Sequence, residues 1–291
     1  MALAIVVALA LTAALCAALG IVVRQLATRD VPADRGMSPT IVTTLLRRPL
    51  WWAGIATACA GYAFQALALS RGSLVLVQPL LVSSLLFALP ISARLAGQRV
   101  SRSEWAWAGL LTVALAVFVL VAHPREGHNN PSRQTWLVVA LILIPVVAGC
   151  VAWAARSLGA RRAMLLAVAV GVLFGLIAVL TKLCAHRISI GSWRDLMTTP
   201  APYLLVLLSI VATLVQQSAL HAGALQTSVP TMLVLEPVIA VLLGTVVLGE
   251  HLAARGVSVV ALLVAVAAMA TATIALGRDS GAFDERIASR P

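Results

Sequence analysis

Charged side chains are scarce in this sequence, and lysine is almost absent. Only 11% of the 291 residues are charged, whereas a soluble domain carries about 25%. Lys182 is the single lysine, so all other basic residues are arginines. A net charge of +11 would favour a nucleic-acid partner in a soluble protein, but these arginines lie mostly in short connections between apolar runs. We therefore expect no nucleic-acid binding.

Motifs of enzymes and metal centres are also missing. The chain contains no nucleotide-binding loop, zinc-site spacing or nucleophile–base pair. Its four cysteines fall in or near apolar runs, which is typical of buried thiols in helices. The sequence therefore predicts neither an enzyme nor a bound cofactor.

Long apolar runs dominate what is present. The mean hydropathy is +1.02, and runs of about 20 apolar residues, enough to cross a bilayer core, recur along the chain. Backbone polar groups must pair internally in lipid, so these runs are predicted to be helices. The predicted fold class is an all-α polytopic membrane protein. Its nine predicted spans are 3–23, 51–70, 73–93, 105–122, 135–155, 163–185, 202–221, 225–248 and 253–276. The stretch 37–46 is too short to span the membrane, and whether it forms a tenth, truncated helix stays an open question.

Basic residues decide the predicted orientation. Fourteen of the 21 lysine and arginine residues fall on one side of the predicted spans, and the positive-inside rule places that side in the cytoplasm. With nine spans the amino terminus is outside and the carboxyl terminus inside. The bias towards arginine and small apolar residues is typical of GC-rich codon usage and favours a bacterial inner membrane. The polar tail 277–291 is predicted to be short, cytoplasmic and disordered.

The two halves of the sequence resemble each other. Residues 65–100 align without a gap with residues 217–252 at an offset of 152, pairing Gln65 with Gln217 and Gly97 with Gly249. Five spans separate the copies, an odd number, so the second copy is inverted in the membrane. Inverted repeats are a transporter architecture with the substrate site near mid-membrane. We therefore divide the chain into a first repeat of four spans (1–122), an external loop (123–134) and a second repeat of five spans (135–276).

One acid lies in the middle of a predicted span. Glu236 stands about twelve residues from each end of its span, where a charge costs about 3 kcal/mol. Pro237 follows, and we expect it to kink the helix and free the carbonyl of Leu233. Glu236 is therefore a candidate for proton exchange or for binding a cation or an amine. A protonated glutamate that only bonds a neighbouring helix is the alternative.

Further polar residues complete the candidate substrate or ion pathway. They are Gln65, Tyr62, Gln216, Gln217 and Gln78, with Pro79 next to Gln78 as a second predicted helix break. Two-fold placement would bring Gln65 and Gln217 to opposite walls of one cavity. Such amides also bridge helices by ordinary hydrogen bonds, so a purely structural role stays open.

Residues near the predicted helix ends have simpler explanations. We expect Lys182 to extend towards the membrane interface and Glu250 to have an interfacial or capping role. Gly171 and Gly175 have the spacing that lets two helices approach closely, so helix packing is predicted there.

Two stretches carry a family resemblance. LEPVIAVLLGTVVLGEHL (235–252) and GVLFGLIAVLTK (171–182) resemble the EamA-like drug/metabolite transporter superfamily. The resemblance implies ten helices in two inverted five-helix repeats around a central cavity, with the second helix here shortened or missing. RRPLWWAGIATACAGYAFQALALSRGSLVLVQPL (47–80) is similar to the NIPA-type magnesium transporters, which implies nine helices and an external amino terminus.

The NIPA resemblance has a gap at the acidic positions. Where that pattern places Glu and then Asn, this chain has Tyr62 and Gln65. Mg²⁺ prefers oxygen ligands, above all carboxylates, so Glu236 is the one metal ligand that the sequence offers deep in the membrane. The leading hypothesis is a secondary transporter of a small organic solute, coupled to protons through Glu236. A carrier of Mg²⁺ is second, and a non-transporting accessory membrane protein is third. The expected partners are a small-molecule or ion substrate and the lipid bilayer; substrate, direction, coupling ion and oligomeric state stay open.

Overall fold

The structure, a computed structural model, describes residues 2–28, 49–95, 100–122, 124–125, 127, 131–222, 225–252 and 257–288. Labels follow chain order within these ranges. The helices are α1 (Ala2–Thr28), α2 (Pro49–Arg71), α3 (Leu74–Leu81), α4 (Ser84–Leu95), α5 (Arg102–Val121), α6 (Arg133–Ala155), α7 (Gly159–Ser189), α8 (Trp193–Thr198), α9 (Ala201–His221), α10 (Leu225–Leu248) and α11 (Val257–Ala288). Two short strands, β1 (Pro124–Arg125) and β2 (His251–Leu252), pair antiparallel.

The protein is an all-α polytopic membrane protein, as predicted. Nine segments within the described ranges are helical, long and apolar enough to cross a membrane. Each corresponds to one predicted span, with α3 and α4 together forming the third. The stretch 37–46 lies outside the described residues. The predicted number of full spans is therefore confirmed for the part of the chain that the structure describes.

The third span, predicted over 73–93 with a helix break at Pro79, is interrupted. Helix α3 runs through Pro79 and ends at Leu81, and α4 begins at Ser84. In the interruption the Val82 N–H donates to the Pro79 carbonyl at 3.2 Å, three residues back, which tightens the last turn. A proline lacks an N–H for the preceding turn and crowds that turn, whereas the interruption lies after Pro79, so the break is about one turn beyond the predicted position.

Helix α10 behaves differently at its prolines. It runs unbroken from Leu225 to Leu248 with Pro230 and Pro237 inside it. The predicted helix break at Pro237 is therefore not an interruption of α10. The predicted disorder of the tail is wrong over its described part, because α11 continues to Ala288.

Helix α7 lies at the centre of the bundle. It has 31 residues and packs against α6, α9 and α10, and also against α2 and α3. A Cβ at Gly171 would lie 2.7 Å from Leu235 Cβ, and one at Gly175 would lie 2.6 Å from Ile239 Cγ2. Such distances are too short for a side chain, so the two glycines allow α7 to approach α10 closely. The packing role predicted for this pair is confirmed.

Candidate functional site

Glu236 lies on the inward face of α10. It is half-buried, and helical periodicity places it in one stripe with Ala240 and Leu243, which are both buried. The exposed residues Val238 and Leu242 lie on other faces of the same helix. The carboxylate therefore points into the bundle rather than towards lipid. Among the described residues, none is hydrogen-bonded to it in the structure.

The interruption between α3 and α4 lies level with Glu236. Helices α3 and α10 pack together, and a Cβ at Gly244 would lie 3.2 Å from Leu74 Cβ. Beyond this contact both helices line one cavity, α3 and its C-cap with residues that follow Leu74 (Val75 to Val82) and α10 with residues that precede Gly244 (Leu233 to Leu242), so the two helices run antiparallel. Val82 lies eight residues after Leu74 on α3, and Glu236 lies eight residues before Gly244 on α10. Eight helical residues correspond to roughly 12 Å along each axis. The acid thus lies at the height where the third span is broken.

The predicted repeat pairs residues within this same region. The offset of 152 that aligns the two halves pairs Ser84, the first residue of α4, with Glu236. Ser84 is half-buried, and its neighbour Ser83 is buried and donates its hydroxyl to the Leu80 carbonyl at 2.6 Å. Positions that the alignment pairs therefore lie at one level of the bundle, with a carboxylate on one helix and hydroxyls on the other.

The predicted glutamines occupy different environments. Gln65 on α2 is half-buried and lies between buried Gly61 and Ala68, and Gln216 on α9 is half-buried between Ala212 and Ala219 with the same spacing. Gln217 is exposed. By burial, the counterpart of Gln65 is therefore Gln216, one residue away from the partner that the sequence alignment suggests.

Two other predicted residues lie at opposite extremes of burial. Tyr62 on α2 is 64% exposed, whereas Gln78 on α3 is only 1% exposed. The side-chain Nε2 of Gln78 has no hydrogen-bond partner. Buried polar groups without a partner are rare and costly, so Gln78 is the unsatisfied polar group of this region.

A second polar site, the Lys182–Glu250 cluster, consists of these two side chains and the α3 residues that they bind. The Glu250 side chain has no exposed surface, and Lys182 is 4% exposed. Lys182 Nζ forms a salt bridge with Glu250 Oε1 and donates to the Gly72 carbonyl at 2.8 Å. The carboxylate also accepts the backbone N–H groups of Leu74 and Val75, each at 3.1 Å.

Local chain geometry supports the Lys182–Glu250 cluster. Glu250 satisfies backbone donors in the first turn of α3, where the helix dipole favours a negative charge, and Ser73 caps the same turn by accepting the Leu76 N–H. Gly249 has φ of 66°, a conformation that glycine adopts readily. The Glu250 N–H then donates back to the Gly244 carbonyl at 3.1 Å.

The same end of the bundle is closed by loop contacts. The strand β1, between α5 and α6, pairs with β2, directly after Glu250. Gly127 in the same loop lies so close to the end of α10 that a Cβ would be 1.8 Å from the Leu248 carbonyl oxygen. The loop between α5 and α6 therefore covers the end of α10 beside the Lys182–Glu250 cluster.

The expected role of Lys182 was wrong, because Lys182 lies seven residues inside α7 and is buried. Of the two roles expected for Glu250, the interfacial one is wrong because the residue is buried, whereas a capping role is present: the carboxylate accepts first-turn N–H groups of α3. The two residues are 68 positions apart, so no local pattern joins them. The available signal was indirect: the chain uses arginine everywhere else, and its one lysine lies in an apolar helix.

Two cavities lie in the described part of the bundle, the first of them next to the helix break and Pro237. The first, of about 230 Å³, is lined by residues of α3, α5, α10 and α11, and nearly all of its lining side chains are apolar. The second, of about 220 Å³, lies between α6, α7 and α9 and includes Arg162. Neither is lined by Gln65, Gln217 or Glu236. No group of three or more His, Cys, Asp or Glu residues that could hold a metal ion is found within the described ranges.

A similar protein occurs in Corynebacterium glutamicum. It is named Uncharacterized protein Cgl0250/cg0304 and is 37% identical over 219 residues, which are 75% of this chain and 76% of the relative. This chain belongs to the same protein family. No protein-family model matches the chain, and no solved structure matches it. The family assignment thus covers three quarters of both chains, and the activity has to be argued from the site.

Proposed function

We propose that this protein is a secondary transporter of the drug/metabolite type, which moves a small solute across the cytoplasmic membrane. The observation that carries the proposal is the position of Glu236. It is an acid in the middle of a membrane span, on the inward face of α10, level with a broken helix. Ionisable residues within membrane spans mark substrate or proton pathways, and discontinuous helices form the binding sites of many transporters.

The two halves of the bundle support an inverted repeat. With the offset of 152, the first residue of α2, Pro49, corresponds to Ala201, the first residue of α9. The span formed by α3 and α4 then corresponds to α10, and α5 corresponds to α11. In the first half α1 packs on α2 and α4, and in the second half α7 packs on α9 and α10. Related helices therefore make related contacts.

The proposal includes an orientation and a location. The predicted charge asymmetry assigns the amino terminus to the outside and the end of α11 to the cytoplasm. Connections assigned to one side do meet: the α2–α3 turn, the end of α10 and the α5–α6 loop are in contact. The arginine-rich composition supports a bacterial inner membrane. A transporter of this kind is not an enzyme and needs no cofactor.

Flux through purified protein tests the proposal. The protein is reconstituted into proteoliposomes with a pH gradient, and proton movement is followed with an enclosed pH-sensitive dye while pools of amines, amino acids and Mg²⁺ are added. We expect the addition of at least one pool to change the pH inside the proteoliposomes, because solute transport is coupled to proton movement. Glu236→Gln keeps the size of the side chain but cannot ionise, so we expect it to abolish the pH-driven flux.

A matched control separates this effect from a general loss of charge. Glu104 lies in the capping box at the start of α5, where its carboxylate accepts the Ser101 N–H. Glu104→Gln should leave flux unchanged. Full proton coupling in Glu236→Gln would refute the proton role. Flux of Mg²⁺ alone would favour the divalent-cation carrier, and absence of flux with every pool would favour the accessory protein.

A further inference from the structure

We infer that the Lys182–Glu250 cluster is the latch that closes one end of the transport pathway, the outer end in the proposed orientation. The inference rests on the proposed transport function, since a gate requires a pathway. Alternating access requires that each end of the bundle open and close in turn. The cluster lies at one such end and joins three parts of the chain: the α2–α3 turn, α7 and the end of α10.

The bonds in the cluster connect the two inverted halves. Glu250 belongs to the second half, and its carboxylate accepts the backbone N–H groups of Leu74 and Val75 in the first half. Lys182, also in the second half, reaches the Gly72 carbonyl in the first. Movement of the α2–α3 turn away from α10 would break all of these contacts together. The Lys182–Glu250 ion pair itself lies within the second half, so the connection between the halves consists of these three bonds to the α2–α3 turn and the start of α3.

The chemistry is suited to a connection that is strong but separable. An ion pair of two fully buried side chains is stable only while both partners are in place. Once the turn moves, the two charged side chains stay paired with each other and water replaces the backbone partners that they lose, so the open state is not left with buried, unpaired groups. An apolar contact in the same place would have no comparable alternative partner in water.

The packing around the cluster keeps water out in the closed state. A Cβ at Gly244 would lie 3.2 Å from Glu250 Oε2, and one at Gly72 would lie 2.5 Å from Val6 Cγ1. The absence of side chains at these two positions thus lets the backbone close over the ion pair. The pairing of β1 with β2 covers the cluster from the loop side.

Thiol labelling in lipid nanodiscs tests the latch. The four native cysteines are first replaced by alanine. Two proteins with one cysteine each are then made, Ser73→Cys and Ala167→Cys. Ser73 is 2% exposed and lies beside the cluster, whereas Ala167 is fully buried in the amino-terminal part of α7, away from the cluster. Both proteins are compared with and without the change Lys182→Met with Glu250→Gln, which neutralises both partners and limits the loss of stability.

We expect Ser73→Cys to react with a water-soluble maleimide at least tenfold faster when the latch is neutralised, and Ala167→Cys to keep its rate within about twofold. Unchanged labelling at both positions would overturn the inference. Faster labelling at both would also overturn it, because the bundle would merely have loosened. Lys182→Met alone provides an independent second comparison, and Glu104→Gln should change neither rate.

The labelling does not depend on a transported solute, so its outcome is separable from the flux assay. Selective exposure of Ser73→Cys without any flux would count against the transport function and would reduce the Lys182–Glu250 cluster to a contact that holds this end of the bundle closed. Flux without selective exposure would retain the transporter and reject the latch.

Discussion

Removing the Glu250 carboxylate is expected to destabilise the protein strongly. In Glu250→Gln the side chain keeps one oxygen, but the other position carries an NH₂ group that faces a backbone N–H in place of an acceptor. Lys182 then remains buried with only the Gly72 carbonyl as partner. Loss of one member of a buried ion pair costs about 3–5 kcal/mol. We expect a decrease of that size in the free energy of unfolding.

The decrease is measured by denaturant titration in detergent micelles, with the fluorescence of the seven tryptophans as the signal. Glu104→Gln is the matched control, because that carboxylate lies in a solvated capping box and its loss costs about 1 kcal/mol. Lys182→Met combined with Glu250→Gln should recover part of the loss. An effect of Glu250→Gln no larger than that of Glu104→Gln would refute the account of the buried ion pair.

Three further predictions concern packing and polar groups. Gly175→Leu should lower the free energy of unfolding by about 1–3 kcal/mol, because the new side chain overpacks against Ile239. Gly149→Leu is the control and should have little effect, since no heavy atom lies within 4 Å of an added Cβ there. Equal effects in the same titration would contradict the close approach of α7 to α10. Gln78→Leu should raise the free energy of unfolding by about 1 kcal/mol, because it removes an unpaired buried donor; a decrease would mean that the amide has a partner. Ser101→Ala should cost about 1 kcal/mol by removing the cap of α5, and no change would contradict the capping box.

The spans were predictable because the membrane imposes their length and polarity. Most residues of a span lie in lipid or in an apolar protein interior, so length and composition identify the span, and nine full spans appear within the described residues. The spacing of Gly171 and Gly175 likewise predicted a close helix contact. The partner of that contact, α10, was not predictable, since the spacing describes one helix only.

Contacts between distant residues escaped the sequence. The pairing of Lys182 with Glu250 depends on how α7 and α10 are placed around α3, and neither residue has a local feature that identifies its partner. The break in the third span was predicted at Pro79, but α3 continues through that residue to Leu81. Pro237 is a proline in a similar run, yet α10 continues through it, so the residue alone does not decide whether a helix ends.

The shift from Gln217 to Gln216 has a related cause. A gapless alignment pairs residues by number, whereas burial depends on the rotation of each helix about its axis. One residue corresponds to about 100° of rotation. That difference is enough to move a glutamine from an inward face to an exposed one, so the alignment of the two halves does not identify which side chain faces inwards.

The central claim is that Glu236 faces a water-accessible interior and not lipid. It is tested most directly in nanodiscs, in protein without native cysteines, by placing a single cysteine at position 236 or at position 210 and measuring the reaction with a water-soluble thiol reagent. Glu236→Cys should react, because the account places the inward face of α10 in contact with water. Ile210→Cys, which replaces a 55% exposed apolar residue in the middle of α9 that lines neither cavity, should not react, because its thiol lies in hydrocarbon. Reaction only at position 210, or no reaction at position 236, would contradict the account.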